Sequence, residues 1–144
     1  MLSYLALFTA ALLSATIVPG FSEAGVAAMV GTGSPILPVV AVASAGNTLG
    51  SVVNWVLGRY LLRFADRPWF PVSAQGIARA EAWFKRYGTW SLLLAWLPVI
   101  GDPLTLVAGV LRVRFGLFLI LVAVGKTLRY AVLAYAAQSL ASGV

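Results

Sequence analysis

Four ionisable side chains, Glu23, Asp102, Lys126 and Arg129, stand in stretches that are otherwise apolar. A charge held inside a lipid bilayer costs about 2.5 kcal/mol or more, so such residues pair with one another or with a ligand and mark the paths of ions and substrates. Lys126 and Arg129 are three positions apart and therefore share one face of a helix. A carboxylate beside each cation neutralises it. A phosphate can take the carboxylate's place, held by guanidinium donors and by the free N–H groups of helix N-termini. A carboxyl group that is paired with a cation in one arrangement and separated from it in another also binds and releases a proton. The competing interpretation is a permanently closed ion-pair network that only holds the chain together.

What the chain lacks narrows the chemistry. With no histidine and no cysteine among 144 residues, the usual general base, the usual metal ligand, thiolate reactions and disulfides are all missing. No metal or cofactor is expected. Glu23 and Asp102 form a conceivable pair for an intramembrane acid protease, in which two carboxylates share a proton. Residues 99–102 read Val-Ile-Gly-Asp, however, where Gly-x-Gly-Asp is the usual context. Protease is thus a remote alternative, and no enzymatic activity is expected.

The elements that must carry these residues are membrane helices. Apolar residues make up 61% of the chain and charged ones 10%, and the mean hydropathy is +0.96. A soluble domain of this size could not expose such a surface, so the composition predicts an all-α integral membrane protein. Residues 1–22 carry no charge and lack the basic start of a cleavable signal, so they are expected to remain as mature structure. A helix is predicted over residues 1–18, followed by a break at Pro19, Gly20, Phe21, Ser22 and Glu23 and a short helix over 24–30. Gly31 to Pro35 reads as a surface loop, and a continuous span follows over 36–57. Gly46, Gly50, Asn54 and Gly58 recur along it every four residues, with Asn47 beside them, a small-residue stripe that suits close helix packing.

Residues 92–111 are long enough for a span of roughly 20 residues, but Pro98, Gly101, Asp102 and Pro103 interrupt the middle. Two short helices around a polar tip fit better, since irregular backbone at membrane depth is tolerated only where protein or a water-filled cavity surrounds it. Between the spans, Ser73 is a candidate N-cap for a helix to Tyr87. Ile77, Ala80, Phe84 and Tyr87 give that helix an apolar face, opposed by Arg79, Lys85 and Arg86. An amphipathic helix of this kind is expected at the membrane surface, its cations serving topology and not nucleic-acid binding. The last span is predicted over 115–140, with Lys126 and Arg129 near its middle.

An internal repeat relates the pieces. Shifting the chain by 79 residues places Pro19 on Pro98, Glu23 on Asp102, Gly46 on Gly125, Thr48 on Thr127 and Leu49 on Leu128. The same shift places Lys126 on Asn47 and Arg129 on Gly50, so a bulky cation on one helix could face space on the other. One membrane domain over residues 1–144 results, with a first repeat over 1–59, a linker and amphipathic helix over 60–87 and a second repeat over 88–144. Broken helices in matching halves point to a transporter site at the midplane. Eight of the ten cations fall in two places, six from Arg59 to Arg86 and two at Arg112 and Arg114. The positive-inside rule puts both groups in the cytoplasm. Residues 89–111 must then return to the side they left, as a re-entrant hairpin, and the repeat makes the first broken segment dip from the opposite face. This inverted repeat of two re-entrant helical hairpins and two long spanning helices is expected to bring Glu23 and Asp102 together.

The stretches SATIVPGFSE, GNTLGSVVNWVLGR, FKRYGTWSLLLAWLPVIGDPLTLVAGVLR and GKTLRY resemble the YqaA-like branch of the DedA family, also called the VTT or SNARE-associated Golgi protein group. The resemblance covers nearly the whole chain. It implies a multi-pass bacterial inner-membrane protein with two opposed re-entrant hairpins. It also implies movement of a membrane lipid, such as a phospholipid or a polyprenyl phosphate, with protons as the coupling ion. Typical members carry an arginine after the Pro-Gly of the second hairpin, where this chain has Asp102.

A lipid or phosphorylated-lipid translocase is therefore expected, with a small-solute or ion transporter or channel as the alternative. Its site would comprise Glu23, Asp102, Lys126, Arg129 and Asn47, with breaks at Pro19, Gly20, Pro98, Gly101 and Pro103. Glu23, with room to move beside Ser22 and Gly25, is expected to carry the proton and Asp102 to anchor. Trp90, Trp96 and Tyr130 are expected as packing or interface aromatics. A homodimer would supply the protein that a small chain lacks for shielding two polar tips. Because there is no native cysteine, single cysteines at Gly33, Ala74, Val113 and Ser142 can be labelled without background. Ala74 and Val113 should react from the cytoplasm and Gly33 and Ser142 from outside; labelling of Ala74 and Val113 from opposite sides would mean that residues 89–111 cross.

Overall fold

The computed structural model describes residues 1–16, 20–60, 67–68, 73–97 and 100–143. Pro19 and Pro98, and most of the linker including Arg63 and Asp66, lie outside the described residues. Helices are the regular secondary structure of the described residues, with no strand among them. In chain order the elements are α1 (Leu2–Thr16), α2 (Phe21–Gly31), α3 (Ile36–Tyr60), α4 (Ala74–Tyr87), a 3-10 helix (Gly88–Trp96), α5 (Gly101–Val110) and α6 (Phe115–Ala141). Helices α3 and α6 contain 25 and 27 residues and are apolar enough to cross a membrane. At 1.5 Å per residue each exceeds the ~30 Å of a hydrocarbon core, whereas α1, α2 and α5 are too short to cross alone. The segment Gly88–Trp96, which leads into the expected break, is wound as 3-10 helix.

Two compact units are present, one formed by Met1–Gly50 with Lys126–Val144 and the other by Ser51–Gly125. In the first, α1 and α2 pack against each other, and Leu7, Val26, Val39, Val40, Tyr130 and Ala134 form the buried core. In the second, α4, the 3-10 helix and α5 pack around Phe84, Leu92, Leu104, Val107 and Phe118. Helices α3 and α6 contribute a segment to each unit.

The helix boundaries correct the expected breaks. Gly20 stands in the left-handed region, with φ 104°, immediately before α2. Phe21, Ser22 and Glu23 already form the first turn of α2, and Gly101, Asp102 and Pro103 the first turn of α5. Only Gly20 among the described candidates lies outside a helix. The reason is that a proline in the first turn forfeits no intrahelical bond, and an acid there faces the positive end of the helix dipole.

The repeat is visible in the backbone. Helix α3 starts at Ile36 and α6 at Phe115, 79 residues later. Helices α2 and α5 end in the same two-bond cap. After α2, Gly33 N–H donates to Val30 O at 3.0 Å and Ser34 N–H to Met29 O at 2.9 Å. After α5, Arg112 N–H donates to Gly109 O at 3.1 Å and Val113 N–H to Ala108 O at 3.0 Å. The left-handed residue is Gly33 in one cap, φ 96°, and Arg112 in the other, φ 58°. Arginine has no ease in that conformation, but its charge sits at the negative end of α5, where a cation is favoured.

Helix α4 forms from the expected N-cap: Ser73 Oγ accepts from Gly76 N–H at 3.1 Å. Most of its apolar face packs against protein, with Tyr87 alone of the four expected residues left exposed. Ile77, Ala80 and Phe84 pack into the core of the second unit, while Arg79, Lys85 and Arg86 stay exposed. Burial against α5 and the 3-10 helix removes these side chains from water without any membrane.

The glycine stripe of α3 serves packing at several places. Around Gly46 and Gly50 the backbone of α1 closes in, so that a Cβ would lie 2.5 Å from Phe8 O and 2.6 Å from Leu12 O. In the second unit Gly58 meets Leu106 O of α5, and Gly109 of α5 meets Trp55 O in return. Neither approach leaves room for a methyl group. Gly58→Ala is therefore expected to destabilise the protein by about 1–3 kcal/mol through overpacking, whereas Gly116→Ala, in open space, should be neutral. Equal melting temperatures for the two variants in detergent would refute this account of the α3–α5 contact.

Candidate functional site

In the first unit the N-terminal turn of α2 faces the middle of α6, and the charged residues collect there. Arg129 Nη2 pairs with Glu23 Oε1, and the two side chains are 20% and 25% exposed. The second carboxylate oxygen is also engaged: Ser22 Oγ donates to Glu23 Oε2 at 3.0 Å. Tyr130 OH donates in turn to Ser22 Oγ at 2.7 Å, and Ser22 N–H donates to Ser14 Oγ of α1 at 3.3 Å. The Arg129 guanidinium carbon lies 5.6 Å from the Tyr130 ring centre, within cation–π range. Two consecutive residues of α6 thus hold two consecutive residues of α2.

Lys126, one turn away, is only 1% exposed. Its Nζ donates to Asn47 Oδ1 and, at 3.3 Å, to the backbone oxygen of Asn47. Asn47 Nδ2 donates onward to Ala11 O at 2.8 Å. The amide therefore satisfies two partners, one on each side. Lys126 and Asn47 are 79 residues apart, so α3 and α6 touch at equivalent positions of the repeat. The space at Gly50, expected to receive Arg129, is filled by Leu12 and Ala15 of α1, and Arg129 turns to Glu23 instead.

Four predicted residues, Glu23, Asn47, Lys126 and Arg129, are gathered in this unit. Asp102 belongs to the other, half-buried in the first turn of α5. Its backbone oxygen accepts from Thr105 Oγ1 at 2.7 Å, and Asn54 Nδ2 donates to the same hydroxyl at 3.3 Å. Glu23 lacks the expected freedom. Both of its oxygens are bound, and Gly25 packs against Leu7, where a Cβ would lie 3.0 Å from Leu7 Cδ1. Ser22 and Tyr130, both fully buried, are the site residues that sequence reasoning missed. Tyr130 takes the packing role of the two expected for the aromatics, while Trp90 is 70% exposed. The available signal was adjacency: a serine beside the acid and a tyrosine beside the arginine. Among the described residues no cluster of His, Cys, Asp or Glu could hold a metal ion.

A partly open guanidinium–carboxylate pair backed by a closed ammonium is an arrangement for binding an anion or exchanging one for the carboxylate. The family model described as the VTT domain matches residues 7–139. The chain belongs to the VTT-domain family. A VTT-domain relative, the inner membrane protein YqaA of Escherichia coli, is 40% identical over 138 residues, covering 94% of this chain and 91% of the relative. A Haemophilus influenzae protein is 36% identical over 137 residues, covering 90% of this chain and 83% of its own. Undecaprenyl phosphate transporter A of Staphylococcus aureus is 29% identical over 101 residues, which is 65% of this chain and 50% of the transporter. No solved structure matches. This VTT-domain protein resides in a bacterial inner membrane, with α3 and α6 as helices able to span it.

The closed pair makes a separate prediction. Asn47→Leu removes an acceptor from a buried ammonium and the donor to Ala11 O, so stability should fall by about 2–3 kcal/mol. Thr9→Ala removes an exposed hydroxyl that bonds only within α1 and serves as the comparison. If thermal unfolding in detergent shifts equally in both variants, the Lys126–Asn47 contact is not holding α3, α6 and α1 together.

Proposed function

We propose that this protein moves an anionic lipid, a phospholipid or a phosphorylated polyprenyl carrier, across the inner membrane without altering it chemically. The observation that carries the proposal is the partly exposed Arg129–Glu23 pair, whose guanidinium is carried by a helix long enough to span lipid. A lipid phosphate has the charge and oxygen geometry to replace the Glu23 carboxylate on the guanidinium, since arginine binds either group through paired N–H donors. Lys126, already enclosed with Asn47, adds positive potential without being consumed by the ligand. The distant relative named undecaprenyl phosphate transporter A supports a phosphorylated lipid as the substrate class. On this proposal α1–α2 and the 3-10 helix with α5 are the two re-entrant hairpins, and displaced Glu23 takes up a proton that it returns when the lipid leaves. Asp102 anchors α5 through its first turn.

Transport in proteoliposomes tests the assignment. Arg129→Gln should abolish lipid movement while the protein still inserts and folds, and Arg129→Lys should be impaired, because an ammonium lacks the planar two-point contact. Glu23→Gln should retain lipid binding yet lose the response to an imposed pH gradient, whereas Asp102→Asn should weaken folding. Full transport by Arg129→Gln would exclude the phosphate role, and a wild-type gradient response in Glu23→Gln would exclude that residue as the proton carrier.

A further inference from the structure

We infer that Ser22 and Tyr130 form a hydrogen-bond relay of fixed direction that sets how readily a phosphoryl headgroup displaces Glu23 from Arg129. The inference rests on the anionic-lipid reading above and assigns positioning roles to two residues whose hydroxyls bond to neither Arg129 nor the substrate and act through Glu23. A carboxylate can only accept hydrogen bonds, and a hydroxyl has one proton and two lone pairs. The Ser22 proton is therefore committed to Glu23 Oε2, 3.0 Å away. Its oxygen is left to accept, and the Tyr130 hydroxyl supplies the proton at 2.7 Å.

Both residues are fully buried, so bulk water cannot substitute for either link. Ser22 is further tied through its N–H to Ser14 on α1, which fixes the backbone that carries the hydroxyl. The relay thus favours one position of the Glu23 carboxylate, with Oε2 on Ser22 and Oε1 on Arg129. A phosphate arriving at Arg129 has to compete with a carboxylate held at both oxygens. A tighter hold weakens headgroup binding and speeds its release, because Glu23 returns to a prepared place. A looser hold does the reverse.

Tyr130→Phe removes one oxygen and keeps the ring that packs in the core, so it isolates the relay. Wild-type and variant full-length protein are compared in nanodiscs and proteoliposomes with dioctanoyl phosphatidic acid as the probe. Binding is measured by titration calorimetry and lipid movement by the rate of appearance in the opposite leaflet. Tyr130→Phe is expected to bind the probe roughly 3- to 10-fold more tightly, the scale of one lost hydrogen bond between neutral groups, and to turn over more slowly. Ser22→Ala should shift both quantities in the same direction and at least as far, since it also removes the bond to the carboxylate, and the double variant should go no further than Ser22→Ala alone, because without Ser22 the Tyr130 hydroxyl has no relay to act through. Should Tyr130→Phe not fold, Ser22→Ala reads the same two quantities. A variant that melts at a lower temperature but keeps wild-type affinity and turnover would reduce the relay to packing and overturn the inference. Arg129→Gln separates the two levels. If it leaves probe binding intact, the anionic-lipid reading itself fails; if it abolishes binding while Tyr130→Phe changes nothing, only the relay is lost.

Discussion

A guanidinium carried on a helix long enough to span lipid must find a carboxylate inside the protein, and that demand shapes the first unit. A cation in the middle of so apolar a helix is costly without a partner. The acid that Arg129 takes, Glu23, sits in the first turn of a short helix, where the dipole favours it. Bringing Glu23 to Arg129 requires α2 to end its approach against α6, and Gly20 makes the turn that starts α2 there. The fully buried Tyr130 and Ser22 then follow from adjacency, since each neighbours a member of the pair.

Close packing makes this economical in so small a chain. The α1 backbone runs against Gly46 and Gly50, which brings the Ala11 carbonyl within reach of Asn47 and leaves Asn47 Oδ1 for Lys126. With larger residues on that stripe, the helices would stand apart and the ammonium would need another acceptor. The same device recurs in the second unit, where Gly58 and Gly109 are each pressed on the other helix's backbone. Apolar association supplies no driving force between helices in lipid, so van der Waals contact of this kind and interhelical hydrogen bonds must provide it.

The two ion-holding arrangements differ in what they permit. Lys126 at 1% exposure is enclosed and bound by a neutral amide, which suits a fixed source of positive potential. Arg129 and Glu23 at 20% and 25% keep an open side, which suits exchange. A site that binds an anion and lets it leave needs both properties, because a fully closed pair would not admit the ligand and a fully open one would be screened and weak.

Much of this was legible in the residues themselves. Composition alone specified helices and a membrane, because nothing else accommodates so much apolar surface. The run lengths specified α3 and α6, and the spacing of prolines, acids and glycines revealed the repeat that later appeared as matching caps at Gly33 and Arg112. The four ionisable candidates stood out because apolar surroundings make charge expensive. Partner choice was not legible: that Arg129 takes Glu23, that Lys126 takes Asn47 and that Tyr130 reaches Ser22 depend on distances between helices far apart in the chain. Nor could periodicity tell whether the apolar face of α4 meets lipid or protein, since both environments exclude water equally. Sequence records what each side chain must avoid, and only the tertiary structure decides which neighbour satisfies it.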